Sequence, residues 1–459
     1  MQFNFDGGHA IQDTVANLYG PGVLASLPEL CGQLFGKTAF VVVSDERIWS
    51  RVEGRLRPFL EAEPGTALIL LPAEPKPYAS EALVAEVRER MRGSQESGTC
   101  RSLSEAVPIA VGSGTINDIV KRSSFELGRR YICVPTAPSV DGFSSFGAAI
   151  TVGGFKVTLE CPAPLGIVAD EDILVEAPGE LISAGFGDLV AKLTAGADWI
   201  IADALGVEAI DRAVWEMAQA PARDILGRAR GMRGRERGAI AALYKGLAYT
   251  GFAMQRYRDS RPVSGTEHLL SHFWEMAGAE GGGSSALHGF KVALGTLFAA
   301  ALMEELFSPR SETGGALAAR DFAPDTGLLE RRLSQCASEF PDGPLRAMAE
   351  SAVRAKTLGP EGSGNRPCIA REAWASMRRA VAFQVPPFAA LKDALRDAGC
   401  PVEPEDIGLD REACRRALEL ASLIRSRYTV LDLAAELGVL GLCVQGALSR
   451  RYFSRFRRD

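Results

Sequence analysis

Three of the four histidines of this chain lie within a short segment of the sequence, at positions 268, 272 and 288. Histidine is the commonest metal ligand and the usual proton carrier of proteins. His268 and His272 are four residues apart in a segment with helical spacing, so their rings share one face of a helix. His288 follows after a glycine-rich stretch. This concentration of imidazoles predicts a metal centre.

An acidic ligand for this centre is predicted upstream, at Asp188. Asp188 lies in a stretch of small and apolar residues, 183–199, with helical spacing. A buried acid needs a partner, and a cation is a good one. One aspartate and two histidines on three helices, with an open coordination position, are typical of a catalytic divalent site. Any of these residues alone is more often a core, surface or helix-terminal residue, so the prediction depends on their clustering.

A glycine turn follows the apolar run 107–111 and opens a helical segment. Its residues are Gly112, Ser113, Gly114, Thr115 and Ile116. Missing Cβ atoms let a phosphate approach the backbone, and the free N–H groups at a helix start complement its charge. Asn117 occupies the place of the third glycine of the dinucleotide fingerprint, so a plain tight turn remains the alternative.

Two further segments follow predicted strands. Asp45 ends the run 38–45, where an acid can bind an adenosine ribose and repel a 2′-phosphate, which would favour NAD over NADP. An exposed loop acid is the alternative. Thr136, Ala137, Pro138 and Ser139 follow the run 131–135, at the kind of strand end where open α/β sheets bind ligands. A turn fixed by Pro138 is the alternative.

The elements that must position these residues change in kind along the chain. Strand-like runs alternate with helical segments up to about residue 175, and amphipathic helices dominate afterwards. This order predicts an α/β, Rossmann-like dinucleotide-binding domain over residues 1–175. A mainly α-helical domain that binds metal and substrate is predicted over 176–459. Loops are predicted at 278–286, 308–324 and 359–367, which are rich in Gly, Ser or Pro.

Composition excludes several classes of protein. The 459 residues are 47% apolar and carry a net charge of −6, which excludes a disordered chain and a nucleic-acid binder by overall charge. Nine cysteines without a CxxC pair predict reduced thiols. No secretory signal and no apolar span of roughly 18 residues is found, so we expect a soluble, cytoplasmic protein.

The arginine-rich segment 227–238 is predicted to be solvated. For the basic tail 449–459, a solvated final helix is favoured over a weak contact with an anionic surface.

Five strings of residues, taken together, resemble a known enzyme family. They are GSGTINDIVK, PTAPSVDGFSSFGAAI, AGFGDLVAKLTAGADW, SGTEHLLSHFWE and ALHGFKVALGT. They are similar to the sn-glycerol-1-phosphate dehydrogenases, most closely to the bacterial branch, within the group of glycerol dehydrogenase, iron-dependent alcohol dehydrogenases and dehydroquinate synthase. The resemblance covers at least residues 107–297, and residues 424–438 are similar to the end of the bacterial enzymes. It implies a dehydroquinate-synthase-like fold.

The resemblance also implies roles for individual residues. Gly112–Ile116 would hold the pyrophosphate of NAD or NADP, and Thr136–Ser139 with Ser145 would line the cofactor. Asp188, His268 and His288 would bind one divalent metal, which is zinc or, alternatively, nickel or iron. Asp141 and Asp188 would lie at the substrate. His272 would contact the substrate or support the site without binding the metal.

The implied reaction is the reversible reduction of dihydroxyacetone phosphate to sn-glycerol 1-phosphate, for glycerolipid synthesis. The metal would polarise the ketone oxygen, and His272 and Asp141 would relay the proton. Lys192 is our choice for the substrate phosphate, with an ordinary helix lysine as the alternative. We expect a small phosphorylated three-carbon substrate, a homo-oligomer (a dimer or larger), no nucleic acid and no stable membrane insertion.

Three alternative functions remain open on the sequence. Glycerol dehydrogenase would use the same metal and cofactor without a substrate phosphate, and a sugar-phosphate cyclase would use NAD transiently. A non-catalytic nucleotide-binding protein is the third. Segments 221–240 and 306–325 read as insertions relative to the family, and they leave substrate choice and oligomeric form open.

Overall fold

The computed structural model describes residues 13–63, 65–93, 103–153, 155–279, 286–318, 325–357 and 366–456. His9, Cys100 and most of the predicted loops 278–286 and 359–367 lie outside these ranges. The chain forms two compact units, Met1–Gly185 with Gly231–Asp259 and Phe186–Arg230 with Ser260–Asp459. The functional boundary at residue 175 stays a prediction. The return of residues 231–259 to the first unit was not predicted.

The first unit contains a six-stranded, all-parallel sheet in the order β1-β8-β5-β4-β2-β3. A separate antiparallel hairpin pairs β6 with β7. The strands are β1 Ala16–Gly20, β2 Phe40–Asp45, β3 Ala67–Leu71, β4 Val107–Val111, β5 Ile132–Val134, β6 Ala148–Val152, β7 Phe155–Leu159 and β8 Gly166–Asp170. The predicted α/β class is confirmed.

The inner strands of this sheet are continuous apolar runs because helices cover both faces. β4 (VPIAV) and β8 (GIVAD) are buried along their whole length, as parallel strands usually are. One core, which includes Leu27, Phe40 and Ile109, packs between the sheet and its helices. The helices of this unit are α1 Leu27–Phe35, α2 Glu46–Ala62, α3 Glu81–Arg92, α4 Thr115–Glu126, α5 Glu171–Glu176 and α10 Arg237–Tyr257.

Two sequence boundaries between the units fall inside helices, α6 Gly179–Val190 and α9 Ala229–Arg233. Every other element of the second unit among the described residues is also helical, which confirms the mainly helical region. Its helices are α7 Lys192–Ala204, α8 Arg212–Leu226, α11 Thr266–Ala279, α12 His288–Phe307, α13 Glu312–Ala318, α14 Leu328–Glu339, α15 Pro344–Lys356, α16 Arg366–Gln384, α17 Phe388–Ala398, α18 Arg411–Leu420, α19 Val430–Glu436 and α20 Leu440–Ala447. Short 3-10 helices span Val23–Ser26, Leu103–Glu105, Asp141–Phe143, Arg261–Val263, Pro404–Ile407 and Ala421–Ile424.

Two local predictions about the second unit were wrong. The segment 308–324, predicted as a loop, contains α13, because Ser311 closes the turn before it and the helix then buries Leu317. The basic tail does not form a final helix as far as Phe456. Its aromatic side chains Phe453 and Phe456 are buried, and this burial draws the tail onto the second unit.

No helix among the described residues is long and apolar enough to cross a membrane. The eight cysteines in the described part of the chain are all free thiols.

Candidate metal centre and nucleotide-binding turn

The metal-ligating atoms of Asp188, His268 and His288 lie within 4.8 Å of one another in the second unit. Asp188 is near the end of α6, His268 is in the first turn of α11, and His288 is the first residue of α12. Asp188 and His268 are buried, and His288 is partly exposed. The structure thus brings together the three residues that were predicted to bind metal.

Close packing of two helices brings Asp188 to His288. Gly187 precedes Asp188 on α6, and a Cβ atom there would lie 2.7 Å from the carbonyl oxygen of Gly289 and 2.8 Å from Cβ of Ala293. Any side chain at position 187 would therefore push α6 away from the start of α12. The glycine before the acid in the AGFGDLVAK string is a packing requirement of the site.

Two carboxylates orient the histidine rings. Nδ1 of His268 is 2.9 Å from Oε1 of Glu267, and Nδ1 of His288 is 2.9 Å from Oε1 of Glu275. Nε2 of His268 lies 3.4 Å from Oδ1 of Asp188. With the proton on Nδ1 held by a carboxylate, the lone pair of each ring is on Nε2, the atom that could bind a metal. The donor set fits a divalent metal of the kind bound by carboxylate and imidazole.

Glu267 and Glu275 were not among the predicted site residues. The available signal was helical periodicity, since Glu275 is seven residues after His268 and thus on the same face of α11. Glu267 is adjacent to His268 in sequence, and adjacent residues of a helix do not ordinarily face each other. Its contact with the ring depends on the bend at the start of α11, where the backbone N–H of Gly265 donates to Oε1 of Glu267 at 2.6 Å.

Removing the negative charge of Glu275, which orients the ring of His288, should weaken metal binding. We expect Glu275→Gln to lower the metal affinity by about 10- to 100-fold, because the carboxylate fixes the ring and raises its basicity. Competition with a chromogenic chelator measures this affinity. Glu180→Gln, an exposed acid at the start of α6, is the control and should leave it unchanged. Unchanged metal affinity in Glu275→Gln would contradict the orienting role.

Lys192, on α7, lies against the candidate ligand Asp188. Its Nζ atom donates to Oδ1 of Asp188 at 2.8 Å, and neither side chain is exposed by more than 1%. Burial alone would raise the pKa of Asp188, but the ammonium of Lys192 and the ring of His268 lower it below its ordinary range. Burial opposes protonation of His268, yet its bonds to Asp188 and Glu267 raise its pKa. The site therefore keeps Asp188 as a carboxylate.

His272 lies beside this group without belonging to the ligand set. Its ring centroid is 6.2 Å from that of His268 and 5.9 Å from that of His288. Its Nδ1 atom has no hydrogen-bond partner among the described residues. Burial and the nearby charge of Arg425 lower the pKa of His272 well below its ordinary value. The ring is thus a neutral imidazole near pH 7.

A buried carboxylate on α7 fixes the start of α11, the helix that contains His268 and His272. Asp198 accepts hydrogen bonds from the backbone N–H of Thr266 at 2.7 Å and of Val430 at 2.8 Å. These are the first residues of α11 and α19, so Asp198 caps both helices. Burial and the neighbouring Glu267 raise the pKa of Asp198 to about 7.

This raised pKa gives a dependence of stability on pH. Between pH about 4 and about 7 the folded protein binds a proton at Asp198 that the unfolded chain does not bind. The stabilisation is therefore complete below about pH 4 and is lost as pH rises through about 7. We expect the difference in unfolding free energy between wild type and Asp198→Asn to fall with rising pH, by up to about 1.4 kcal/mol per pH unit. Urea unfolding at pH 5 and 7.5 measures it, and a constant difference would contradict the assignment.

The glycine turn of the first unit begins where β4 ends. The backbone N–H of Gly112 donates to the carbonyl of Val134, the last residue of β5, at 3.0 Å. A Cβ atom at Gly112 would lie 2.7 Å from Cβ of Ile116, so only glycine fits the tight entry to α4. Ser113, Gly114 and Thr115 are partly exposed at this entry. The backbone there suits the close approach of a phosphate.

The other predicted cofactor residues are placed around the same edge of the sheet. Thr136–Ser139 follow β5, and the hydroxyl oxygens of Ser139 and Ser113 are 3.4 Å apart. Ala137 and Pro138 are buried in that turn. Ser145 is buried and donates to the carbonyl of Gly142 at 3.1 Å. Asp141 is partly buried and opens the short 3-10 helix before Ser145.

Asp45 has a structural contact at this edge. β2, which it ends, is the neighbour of β4 in the sheet. Oδ1 of Asp45 accepts the backbone N–H of Ile48 at 2.8 Å, so the carboxylate caps α2. A contact between Asp45 and the adenosine ribose stays a prediction. In that case the carboxylate would accept hydrogen bonds both from the ribose and from the backbone N–H of Ile48.

Known proteins resemble the chain in sequence. A family model described as iron-containing alcohol dehydrogenase matches residues 18–178. A glycerol-1-phosphate dehydrogenase of Halalkalibacterium halodurans is 38% identical over 205 residues, which are 45% of this chain and 51% of that protein. The chain thus spans about half the length of that relative. The enzyme of the same name from Bacillus licheniformis is 31% identical over 341 residues, covering 74% of this chain and 71% of the relative. The Bacillus subtilis enzyme is 33% identical, covering 72% and 70%.

Solved structures share the fold at low identity. A probable glycerol dehydrogenase from Sinorhizobium meliloti covers 95% of this chain and 99% of its own, with a TM-score of 0.59 and 16% identity. An iron-containing alcohol dehydrogenase from Thermococcus thioreducens gives a TM-score of 0.59 at 15% identity, covering 95% and 98%. These likenesses support the fold. The longer alignments to the Bacillus enzymes, at 31% and 33% identity, show that the chain belongs to the NAD(P)+-linked glycerol-1-phosphate dehydrogenase family.

Proposed function

We propose that this protein catalyses the reversible, NAD(P)-linked and metal-dependent reduction of dihydroxyacetone phosphate to sn-glycerol 1-phosphate. The observation that carries the proposal is the cluster of Asp188, His268 and His288, with two carboxylates behind the histidine rings, in a chain of this family. A set of one acid and two imidazoles leaves room for a further ligand on a divalent ion. Zinc, nickel and iron all accept these ligands, and we propose zinc.

The cofactor would be held by the turns of the first unit. Gly112–Ile116 would accept the pyrophosphate, since no side chain caps the start of α4 at Gly114 and the N–H groups of a first helical turn complement a negative charge. Thr136–Ser139 and Ser145 would line the rest of the cofactor. If Asp45 contacts the adenosine ribose, NAD is favoured over NADP.

A metal ion, when bound, would supply positive charge to the ketone oxygen, and a bound nicotinamide would supply the hydride. The chain's own residues orient the reactants and handle the proton. His272 is held neutral by its surroundings, and a neutral imidazole has one N–H donor and one acceptor nitrogen, so it can pass a proton on between the substrate oxygen and a second group. We propose that Asp141 contacts the substrate and that His272 relays the proton, with Asp188 holding the reacting end in place.

Lys192 keeps the proposed role at the substrate phosphate, in competition with its bond to Asp188. Lys192→Met tests it. If the ammonium binds the phosphate, KM for dihydroxyacetone phosphate should rise by about tenfold or more, with metal content unchanged. If it serves only Asp188, metal affinity should fall and KM should stay constant. Steady-state kinetics with metal analysis separates these outcomes, and Lys245→Met, a lysine of α10, is the control.

The proposed activity is tested by following NADH oxidation with dihydroxyacetone phosphate, with and without a chelator, beside unphosphorylated dihydroxyacetone. We expect chelator-sensitive turnover of the phosphate alone. Turnover of only the unphosphorylated ketone would indicate a glycerol dehydrogenase instead. No turnover of either ketone by metal-loaded protein would contradict the proposal and favour a cyclase, another substrate or a binding role. The proposed homo-oligomer is checked by the solution mass.

A further inference from the structure

A buried lysine on α4, the helix that begins at the glycine turn, contacts the loop that contains Asp141 and Ser145. Lys121 is 1% exposed, and its Nζ atom donates to three backbone carbonyls, those of Gly142 at 2.9 Å, Ser145 at 2.8 Å and Gly147 at 2.9 Å. An ammonium group has three N–H donors, so each one has an acceptor here. Oδ1 of Asp118, one turn earlier on α4, is 3.8 Å from Nζ.

The acceptors of Lys121 all belong to one loop, residues 141–147, which contains Asp141 and Ser145. Asn117, also on α4, donates from Nδ2 to the carbonyl of Gly142 at 3.1 Å. The hydroxyl of Tyr131 in turn donates to Oδ1 of Asn117 at 3.0 Å. The same helix that begins at the glycine turn therefore fixes the backbone of the 141–147 loop.

The opposite side of this loop is fixed by α10. Nε2 of Gln255 donates to the carbonyl of Ser144 at 2.6 Å, and the hydroxyl of Ser144 donates to the carbonyl of Ala248 at 3.2 Å. Phe143 of the loop is also buried and stacks on an aromatic ring of α10, with 5.5 Å between the ring centroids. This packing holds the loop on α10, and its backbone is fixed by the polar contacts. Lys121 alone supplies three of them, and they are charge-assisted bonds in a buried place.

We propose that Lys121 is a positioning residue that ties the substrate loop, residues 141–147, to the helix of the nucleotide-binding turn. Its ammonium group donates hydrogen bonds to three carbonyl groups of the loop. These bonds set the position of Asp141 and Ser145 relative to the start of α4. Lys121 itself touches neither substrate nor cofactor. The identity of the substrate in this inference rests on the proposed function, whereas the tie between loop and helix does not.

The consequence is a separation between cofactor binding and turnover. The glycine turn is held by β4, β5 and the packing of Ile116, none of which involves Lys121. Loss of the ammonium would disturb one proposed cofactor contact, that of Ser145, and would leave the pyrophosphate on the glycine turn. NADH affinity should therefore fall by no more than about threefold, while kcat with dihydroxyacetone phosphate falls by about 100-fold because Asp141 is misplaced. A lysine that merely stabilised the unit would not separate the two quantities in this way.

The experiment compares wild type, Lys121→Met and Arg122→Met as metal-loaded full-length proteins. Methionine keeps an unbranched side chain only one atom shorter than that of lysine and removes its donors. Arg122 is the matched control, because it is the next residue of α4 and its charge pairs with Glu126 near the surface. NADH affinity comes from fluorescence titration, kcat from steady-state kinetics, and amide hydrogen exchange is followed in peptides that cover 112–118 and 141–147. We expect about tenfold faster exchange in 141–147 alone for Lys121→Met, and no change for Arg122→Met.

Hydrogen exchange separates failure of this inference from failure of the proposed function. If wild type does not reduce dihydroxyacetone phosphate, the proposed function fails, and the exchange data still decide on the loop. Unchanged exchange and unchanged kcat in Lys121→Met would overturn the inference, and so would equal losses of NADH affinity and kcat. Should Lys121→Met not fold, Tyr131→Phe removes one bond from the same network and should lower kcat about three- to tenfold at constant NADH affinity. A kcat unchanged in that variant would overturn the inference.

Discussion

Replacement of His268 by alanine should abolish metal binding and turnover together. His268 offers Nε2 at 3.4 Å from Asp188, and its Nδ1 is held by the buried Glu267. The substitution removes one of three ligands and leaves Glu267 without its imidazole partner. We expect metal affinity to fall by at least about 100-fold and kcat by at least about 100-fold, because a metal held by these residues would supply positive charge to the substrate oxygen. Metal analysis after dialysis and steady-state assays measure the two losses.

His272→Ala is the matched control on the same helix. His272 lies outside the ligand set, so this variant should retain the metal and lose mainly turnover. Full activity of His272→Ala would contradict its role in proton transfer. Retention of the metal and of activity by His268→Ala would contradict the metal centre itself.

Replacement of Asp432 by alanine should strongly destabilise the second unit. Oδ1 of Asp432 is 2.9 Å from both Arg332 and Lys356, and all three side chains are buried. Burial alone would raise the pKa of Asp432, but these two cations lower it. Removing the acid leaves two buried cations without their shared counter-ion. We expect a loss of about 3–5 kcal/mol of unfolding free energy, measured by urea denaturation.

An exposed ion pair provides the control for Asp432→Ala. Asp393 pairs with Arg396 on the surface of α17, where solvent screens the interaction. Asp393→Ala should change the unfolding free energy by less than about 1 kcal/mol. Similar effects of the two substitutions would contradict a special contribution of the buried cluster.

The sequence predicted those features that depend on local pattern. β2, β4 and β5 are apolar runs bounded by turn residues, and the structure contains all three. The loop-to-helix turn at Gly112 could be recognised because glycine and the following helical period are adjacent in the sequence. The histidines of the candidate metal centre could be named because imidazoles are rare in this chain and three of the four are concentrated. The placement of His272 outside the ligand set rested on the family resemblance.

Features that depend on distant contacts were not predicted. Lys192 was assigned to a substrate phosphate. Its i, i+4 spacing from Asp188 is visible in the sequence, but the complete burial of this ion pair depends on packing against segments that are distant in sequence. The tail read as basic and solvated because its arginines outnumber its aromatics. In the folded protein, Arg451 pairs with Glu305 and Arg455 pairs with Asp406. The aromatic side chains between and beside them, Phe453 and Phe456, are buried.

Helix α10 has a consequence for the order in which the chain can fold during synthesis. It belongs to the first unit, where the hydroxyl of Tyr244 donates to Asn17 at 2.6 Å and Gln255 contacts Thr14. A ribosome therefore has to release residue 259 before the first unit has all its parts, although the sheet is complete at Asp170. The partners that α10 supplies to Asn17 and Thr14 are still missing from a nascent chain that ends near residue 185. Such a chain exposes the surface that α10 later covers, and we expect a chaperone to bind the nascent chain at this surface.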